Sequence, residues 1–186
     1  MLSKNLIVEA AKVPIEFGIN DMLERLNDRY RWPVRYYDGQ PSVEVILEDG
    51  EKTDVLFSTK DKYLIPELVH EYYNNGYTIL VSRVQQIHKD VIRLAKIVNN
   101  FCGCEVNINA YFGRGTKSIS FPPHQHEYAV LVKNVSGVSE WEIGNDKHTL
   151  ANQNVLYFDA FVDHAVTKII EPKFTLTCNL VGGNNV

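Results

Sequence analysis

The feature that most constrains the fold is a succession of short strands in the second half of the chain. After residue 104, runs of alternating apolar and polar residues are separated by turn-forming residues. Such a succession is typical of a sandwich, a barrel or a jelly roll. We predict strands at 106–111, 128–135, 139–143, 148–150, 154–158, 164–170 and 174–181.

The first 104 residues mix helix and strand. Apolar residues recur at steps of three and four from Ile87 to Phe101, which predicts an amphipathic helix. Asn20 is expected to cap a second helix that carries Tyr30 on its apolar side and ends before Pro33. Further expected elements are a hairpin strand at 42–47 with its turn at 48–51, a helix at 66–73 and a strand at 77–81.

The chain length favours one domain with a sizeable core. With 186 residues it is too short for two comfortable domains, and no linker or internal repeat divides it. We therefore expect a single domain over 1–186, mainly β within the α+β class. Helices of an N-terminal part, 1–104, are expected to pack outside a barrel core at 105–183.

Composition narrows the range of functions and locations. The net charge of -4 argues against a general nucleic-acid binder, which carries a basic surface. No apolar run reaches the roughly 20 residues that span a bilayer, and the N-terminus lacks the apolar region of a signal peptide. Cys102, Cys104 and Cys178 are odd in number and lack zinc-site spacing. We expect reduced thiols and a cytoplasmic protein.

The sharpest local feature is a histidine pair before the strand at 128–135. His124 and His126 are two positions apart, so on a strand both side chains project from one face. Tyr128, Val130 and Val132 continue that face, which is apolar enough to line the inside of a barrel. Imidazoles buried there need a polar partner, and a metal ion supplies one.

His164 is the expected third ligand, because it opens a later strand. Three protein ligands leave positions open for substrate and oxygen, as in non-haem Fe(II) oxygenases, which commonly use two histidines and one carboxylate. Glu127 has the wrong parity to join them. We interpret the remaining histidines, His70, His88 and His148, as structural, since most single histidines are.

Several segments occur in an order that matches one known family. A Gly-x-Thr strand at 76–81 precedes the helix at 87–101, and a Val-x-x-Asn-x-Tyr strand carries Asn109 and Tyr111. The segment 121–128 is similar to a Phe-x-Pro-His-x-Asp metal motif, 130–141 contains a matching glycine and tryptophan, and 154–159 leads to His164. From about residue 75 onward the chain thus resembles the JmjC-type cupins of the ribosomal-oxygenase group.

This resemblance implies a fold, a chemistry and a set of residues. The fold is a double-stranded β-helix, the cupin or jelly-roll barrel, and the activity is Fe(II)- and 2-oxoglutarate-dependent hydroxylation. Positions 124, 126 and 164 would hold the iron. Asn109 and Tyr111 would lie near the cosubstrate.

The sequence departs from the family at three points. His126 stands where the family has aspartate, and Ser139 stands where a basic residue binds the far carboxylate of 2-oxoglutarate. Lys168 is the expected substitute, because strand parity places it on the face of His164, whereas Lys133 has the wrong parity. The family's C-terminal dimerisation and winged-helix regions have no counterpart in the 186 residues.

We expect an iron-dependent oxygenase that hydroxylates a peptide or protein side chain or an amino-acid-derived small molecule. Two alternatives stay open: a three-histidine cupin, dioxygenase or isomerase, whose substrate chelates the metal without 2-oxoglutarate, and a non-catalytic ligand-binding cupin. We expect neither nucleic acid nor membrane as a partner. A homodimer is included among the expected partners, because exposed barrel edges often pair.

Overall fold

The computed structural model describes residues 2–118 and 120–181. Within them, four α-helices and two single 3₁₀ turns precede or separate ten strands. The helices are α1 (Leu2–Ala11), α2 (Ile19–Leu26), α3 (Pro66–Asn74) and α4 (Lys89–Cys102), and the 3₁₀ turns are Arg29–Arg31 and Val84–Gln86. The strands are β1 (Val43–Ile46), β2 (Lys52–Thr53), β3 (Thr78–Val81), β4 (Asn107–Gly113), β5 (Ala129–Ser136), β6 (Ser139–Ile143), β7 (Asp146–Leu150), β8 (Val155–Phe158), β9 (His164–Ile169) and β10 (Lys173–Leu180).

Two antiparallel sheets face each other. The larger has the strand order β2-β1-β3-β4-β10-β5-β8, and the smaller has β7-β6-β9, with an isolated bridge from His124 to His164 beside β9. The chain crosses between the sheets after β5, β7, β8 and β9, so that β4, β10, β5 and β8 form one wall while β9, β6 and β7 form the other. This is the strand order of a double-stranded β-helix, and it confirms the predicted mainly β barrel.

Strand β10 shows how the larger sheet separates two cores. Phe174, Leu176 and Cys178 point outward into the core under the helices. A separate apolar cluster lies on the inside of the barrel, and Val130, Val132 and Trp141 belong to it. Burying one side of each strand under helices leaves the opposite side free to line a cavity.

The N-terminal part extends the barrel wall. Strand β3 pairs with β4, and β1 pairs with β3, so three strands from before residue 104 continue the sheet of the barrel. The predicted boundary at 104 lies between α4 and β4. The single domain over 1–186 stays a prediction, because the end of the predicted barrel core at 183 and the tail beyond it lie outside the described residues.

The helices follow the predictions in part. The helix from Ile87 to Phe101 corresponds to α4, whose buried residues include Val91, Leu94 and Val98. The helix α2 begins after Gly18 rather than at Asn20, because Asp21 accepts a hydrogen bond from the Gly18 backbone N–H. It ends at Leu26, and Tyr30 is exposed in a 3₁₀ turn instead of lying on the apolar side. None of the described helices is long and apolar enough to cross a bilayer.

Candidate metal centre and cavity

Three histidines meet at one end of the barrel. The segment 121–126, which we call the edge segment, lies beside β9. His124 of this segment and His164 of β9 exchange backbone hydrogen bonds of 3.2 and 3.0 Å, which brings their side chains together. The ring centroids are 4.3 Å apart for these two, and the ring of His126 lies 4.9 Å from that of His124 and 5.0 Å from that of His164. One ring nitrogen from each lies within 4.8 Å of the others. The predicted ligand set thus converges in space.

Hydrogen bonds and ring contacts orient the imidazoles. The Nδ1 atoms of His124 and His164 each lie 2.9 Å from a backbone carbonyl oxygen, of Pro122 and Val162 respectively. A proton on each Nδ1 completes these hydrogen bonds and leaves both Nε2 atoms as free electron-pair donors. His126 stacks on Tyr128 at an interplanar angle of 6°, with centroids 4.9 Å apart.

The surroundings favour neutral rings. Burial, and then the neighbouring His124 and His164, lower the pKa of His126 to about 4. Burial also lowers the pKa of His164. Neutral imidazoles are the form that binds a metal, so the chemistry of this donor set fits a divalent transition metal.

The histidines open into a cavity of about 410 Å³. Its lining has two chemically different sides. The part lined by β4 and β10 is polar, whereas the part lined by β5, β8, β6 and β9 is apolar. The polar side comprises Asn109, Tyr111, Lys173, Thr175, Thr177 and Asn179, and the apolar side comprises Val130, Val132, Trp141, Phe158, Ala165 and Val166.

Two residues expected near the cosubstrate line this cavity. Asn109 is 6% exposed, and its Oδ1 accepts a hydrogen bond of 3.2 Å from the Arg83 backbone N–H. Burial raises the pKa of the Tyr111 hydroxyl, so this group stays protonated and can donate a hydrogen bond. Their role toward a cosubstrate stays a prediction.

The other two expected cosubstrate residues lie elsewhere. Ser139 is fully buried outside the cavity lining, and its Oγ accepts a hydrogen bond of 3.0 Å from Trp141 Nε1. Lys168 is exposed on the outer face of β9, so its expected inward orientation is wrong. The register between β6 and β9 shifts between Glu140 and Trp141, and the extra residue on β9 reverses the parity after Val166.

The structure supplies a different cation, Lys173, that the sequence analysis missed. Its side chain lines the cavity, the residue is 1% exposed, and burial lowers its pKa to about 7. The ammonium lies 5.4 Å from the centre of the Trp141 ring, and among the described residues it has neither a hydrogen-bond acceptor nor a carboxylate partner. The alternation of β10 could have identified this lysine from the sequence, because Lys173, Thr175 and Thr177 share one face of the strand.

Lys133 lies on the opposite side of the sheet from the cavity, as its strand parity predicted. It is fully buried but points away from the cavity, and its Nζ donates hydrogen bonds to the backbone oxygens of Ala10, Ala11 and Gln153. It therefore holds the C-terminal end of α1 against the barrel and cannot serve a ligand inside the cavity.

Comparisons with known proteins find matches only among solved structures. No known protein family matches the sequence, and no curated protein matches it. A conserved protein of unknown function from Streptococcus pyogenes is 19% identical, with a TM-score of 0.36, over 40% of this chain and 62% of its own. A cupin superfamily protein from Desulfitobacterium hafniense is 20% identical, with a TM-score of 0.37, over 41% of this chain and 67% of its own.

An enzyme is also among the structural matches. The DMSP lyase DddQ from Ruegeria pomeroyi is 16% identical, with a TM-score of 0.36, over 40% of this chain and 37% of its own. The chain thus spans less than two thirds of the length of some matched proteins. Each of these likenesses covers about 40% of the chain, and the fold is assigned from the strand order instead.

Proposed function

We propose that the protein is a mononuclear non-haem Fe(II) oxygenase of the JmjC-like cupin type that hydroxylates its substrate with 2-oxoglutarate as cosubstrate. The observation that carries this proposal is the combination, in one cavity, of three converging histidines and a buried, unpaired lysine. The first provides a metal site and the second a partner for an anion.

The iron would be held by His124, His126 and His164, and it would supply oxygen activation for C–H hydroxylation. Three neutral imidazoles leave the charge of Fe(II) at +2, whereas a set with one carboxylate would reduce it to +1. The all-histidine site should therefore attract an anionic ligand more strongly. A dicarboxylate satisfies this requirement at one end.

The carboxylate at the other end of a dicarboxylate needs a cationic partner, and Lys173 would provide it. Its ammonium is enclosed by the barrel and covered by Trp141 on one side. Thr175, whose Oγ1 donates to Asn134 Oδ1 at 3.1 Å, and Tyr111 add hydroxyl groups to the same wall. A buried cation without a counterion is costly to keep, which is typical of a residue retained for binding.

The histidine at 126 also favours a second candidate. A cupin with three histidines and no ligand carboxylate suits a substrate that chelates the metal itself, without 2-oxoglutarate. In that case Lys173 would bind an anionic group of the substrate.

Anaerobic titration separates the two candidates. Apo-protein is titrated with Fe(II) and then with 2-oxoglutarate, while the weak visible charge-transfer band of the chelated complex is followed. We expect the band in wild type and in Lys168→Met, a matched control on the outer face, and its loss in Lys173→Met at the same 2-oxoglutarate concentration. Iron binding without any band in wild type would support the chelating-substrate candidate instead.

The proposal also covers the class of substrate, the location and the partners of the protein. The substrate would be a small molecule or a peptide, and the protein would act in the cytoplasm without nucleic acid or membrane as a partner. A homodimer formed through exposed strand edges also belongs to the proposal, and analytical ultracentrifugation tests it directly.

A further inference from the structure

The cavity continues past the histidines into a compartment walled by the N-terminal strands. The turn between β1 and β2 packs so closely on the edge segment that a Cβ added to Gly50 would lie 2.5 Å from Pro122 Cδ. This hairpin compartment is lined by Gln40, Gly50, Glu51, Lys52, Phe121 and Pro122. Most of it comes from the first 52 residues, outside the barrel core.

A pair of opposite charges lies at this compartment. Cross-strand register aligns Glu44, Leu80 and Tyr111 on one face of the sheet, and the latter two line the cavity. Glu44 is therefore on the same face of the sheet, directly behind the lining residues Leu80 and Lys52, and it is 5% exposed. Its Oε2 lies 3.7 Å from the Nζ of Lys52, which itself lines the compartment.

This contact leaves both side chains with unused hydrogen-bonding capacity. The distance of 3.7 Å exceeds a hydrogen bond, and Glu44 Oε2 is buried without a hydrogen-bond donor. Burial raises the pKa of Glu44, as expected for a carboxylate short of donors. The Lys52 side chain is 44% exposed, with its ammonium 6.0 Å from the centre of the Phe121 ring, so its remaining N–H groups are free to bind a second acceptor.

We propose that the hairpin compartment binds the charged head of a free α-amino acid, with Glu44 accepting hydrogen bonds from the ammonium and Lys52 pairing with the carboxylate. A ligand with both charges a few ångströms apart satisfies both residues, whereas the interior of a peptide carries neither charge. The inference rests on the proposed function, to which it adds the class of substrate.

Calorimetric titration tests this inference without any assumption about turnover. The twenty protein L-amino acids are titrated into the apo-protein and into the anaerobic Fe(II) and 2-oxoglutarate-treated protein. The strongest binder is then compared with its N-acetyl and carboxamide derivatives. We expect at least tenfold weaker binding for each derivative, and at least tenfold weaker binding of the free amino acid by Glu44→Gln and by Lys52→Met.

A second glutamate–lysine pair, between the turn of this hairpin and the loop after β4, provides matched controls. Glu48 and Lys117 lie 3.4 Å apart and are mostly exposed outside the compartment, so Glu48→Gln and Lys117→Met should bind like wild type. In the Glu44→Gln variant, N-acetylation of the amino acid should weaken binding only slightly, because the carboxylate that recognises the ammonium is already gone.

Two results would overturn the inference: no amino acid binds either form of the wild type, or both Glu44→Gln and Lys52→Met bind as tightly as wild type. Because calorimetry detects binding regardless of chemistry, amino-acid binding without the 2-oxoglutarate band would contradict only the proposed function. The band without amino-acid binding would contradict only this inference.

Discussion

Replacing Lys173 by methionine should stabilise the fold and weaken cosubstrate binding. In the absence of an anion, burial holds the pKa of this lysine at about 7, far below the 10.5 of an exposed lysine. Between these two values the unfolded chain carries one proton more than the folded chain, so the free energy of unfolding rises with pH. The total rise is about 4–5 kcal/mol, since each pH interval of one contributes about 1.4 kcal/mol.

Lys173→Met removes this dependence because methionine does not titrate. We expect the variant to exceed wild type in the free energy of unfolding at pH 6–7, and the excess to shrink by about 3 kcal/mol by pH 9.5. The contributions of groups that titrate in both proteins cancel in the difference between the two free energies of unfolding. Urea denaturation at a series of pH values measures it.

The effect on binding should have the opposite sign. Removing one partner of a buried charge pair costs about 2–5 kcal/mol, which corresponds to between about 30-fold and several thousand-fold in the Kd of 2-oxoglutarate. Lys168→Met should change neither quantity, since that side chain is exposed. Unaltered 2-oxoglutarate binding in Lys173→Met, or a stability difference that is constant with pH, would refute the assignment of Lys173 as a desolvated anion receptor.

Three further variants test other parts of the account. Gly50→Ala should lose about 1–3 kcal/mol more stability in urea than Gly39→Ala, because both glycines have φ of 84° but only Gly50 packs on Pro122; equal losses would contradict the close packing. Lys133→Met should cost about 1–3 kcal/mol in the same assay, since three backbone oxygens lose their donor. His126→Asp should keep one iron per chain by elemental analysis, because two histidines and a carboxylate also hold Fe(II); loss of iron would count against the site.

Strand parity explains both the success and the failure of the sequence analysis at the site. His124, His126 and His164 precede or open their strands, so no irregularity intervenes between the pattern and the geometry. Lys168 comes after the β-bulge of β9, and one extra residue there moves it to the outer face. Bulges depend on both partner strands, so the alternation of one strand does not reveal them.

The N-terminal part was harder to predict because tertiary packing determines it. The helix α1 has little periodicity of its own, and it is held by the burial of Leu6 and Ala10 and by the contact of Lys133 with its C-terminal end. Apolar and polar residues partly alternate in the sequence of the predicted strand at 42–47, yet all four residues of β1 are buried, because both faces of the sheet are covered there. Glu44 is buried on the face that it shares with Leu80 and Tyr111.

The central claim is that three histidines hold one metal ion, and metal stoichiometry tests it most directly. Wild type, His124→Ala, His164→Ala and the control His148→Ala, whose side chain is exposed on β7, are reconstituted anaerobically with Fe(II) and freed of unbound metal. Elemental analysis should find one iron per chain in wild type and in His148→Ala, and almost none in the other two, with circular dichroism showing all four folded. Equal iron content in all four proteins would contradict the three-histidine centre.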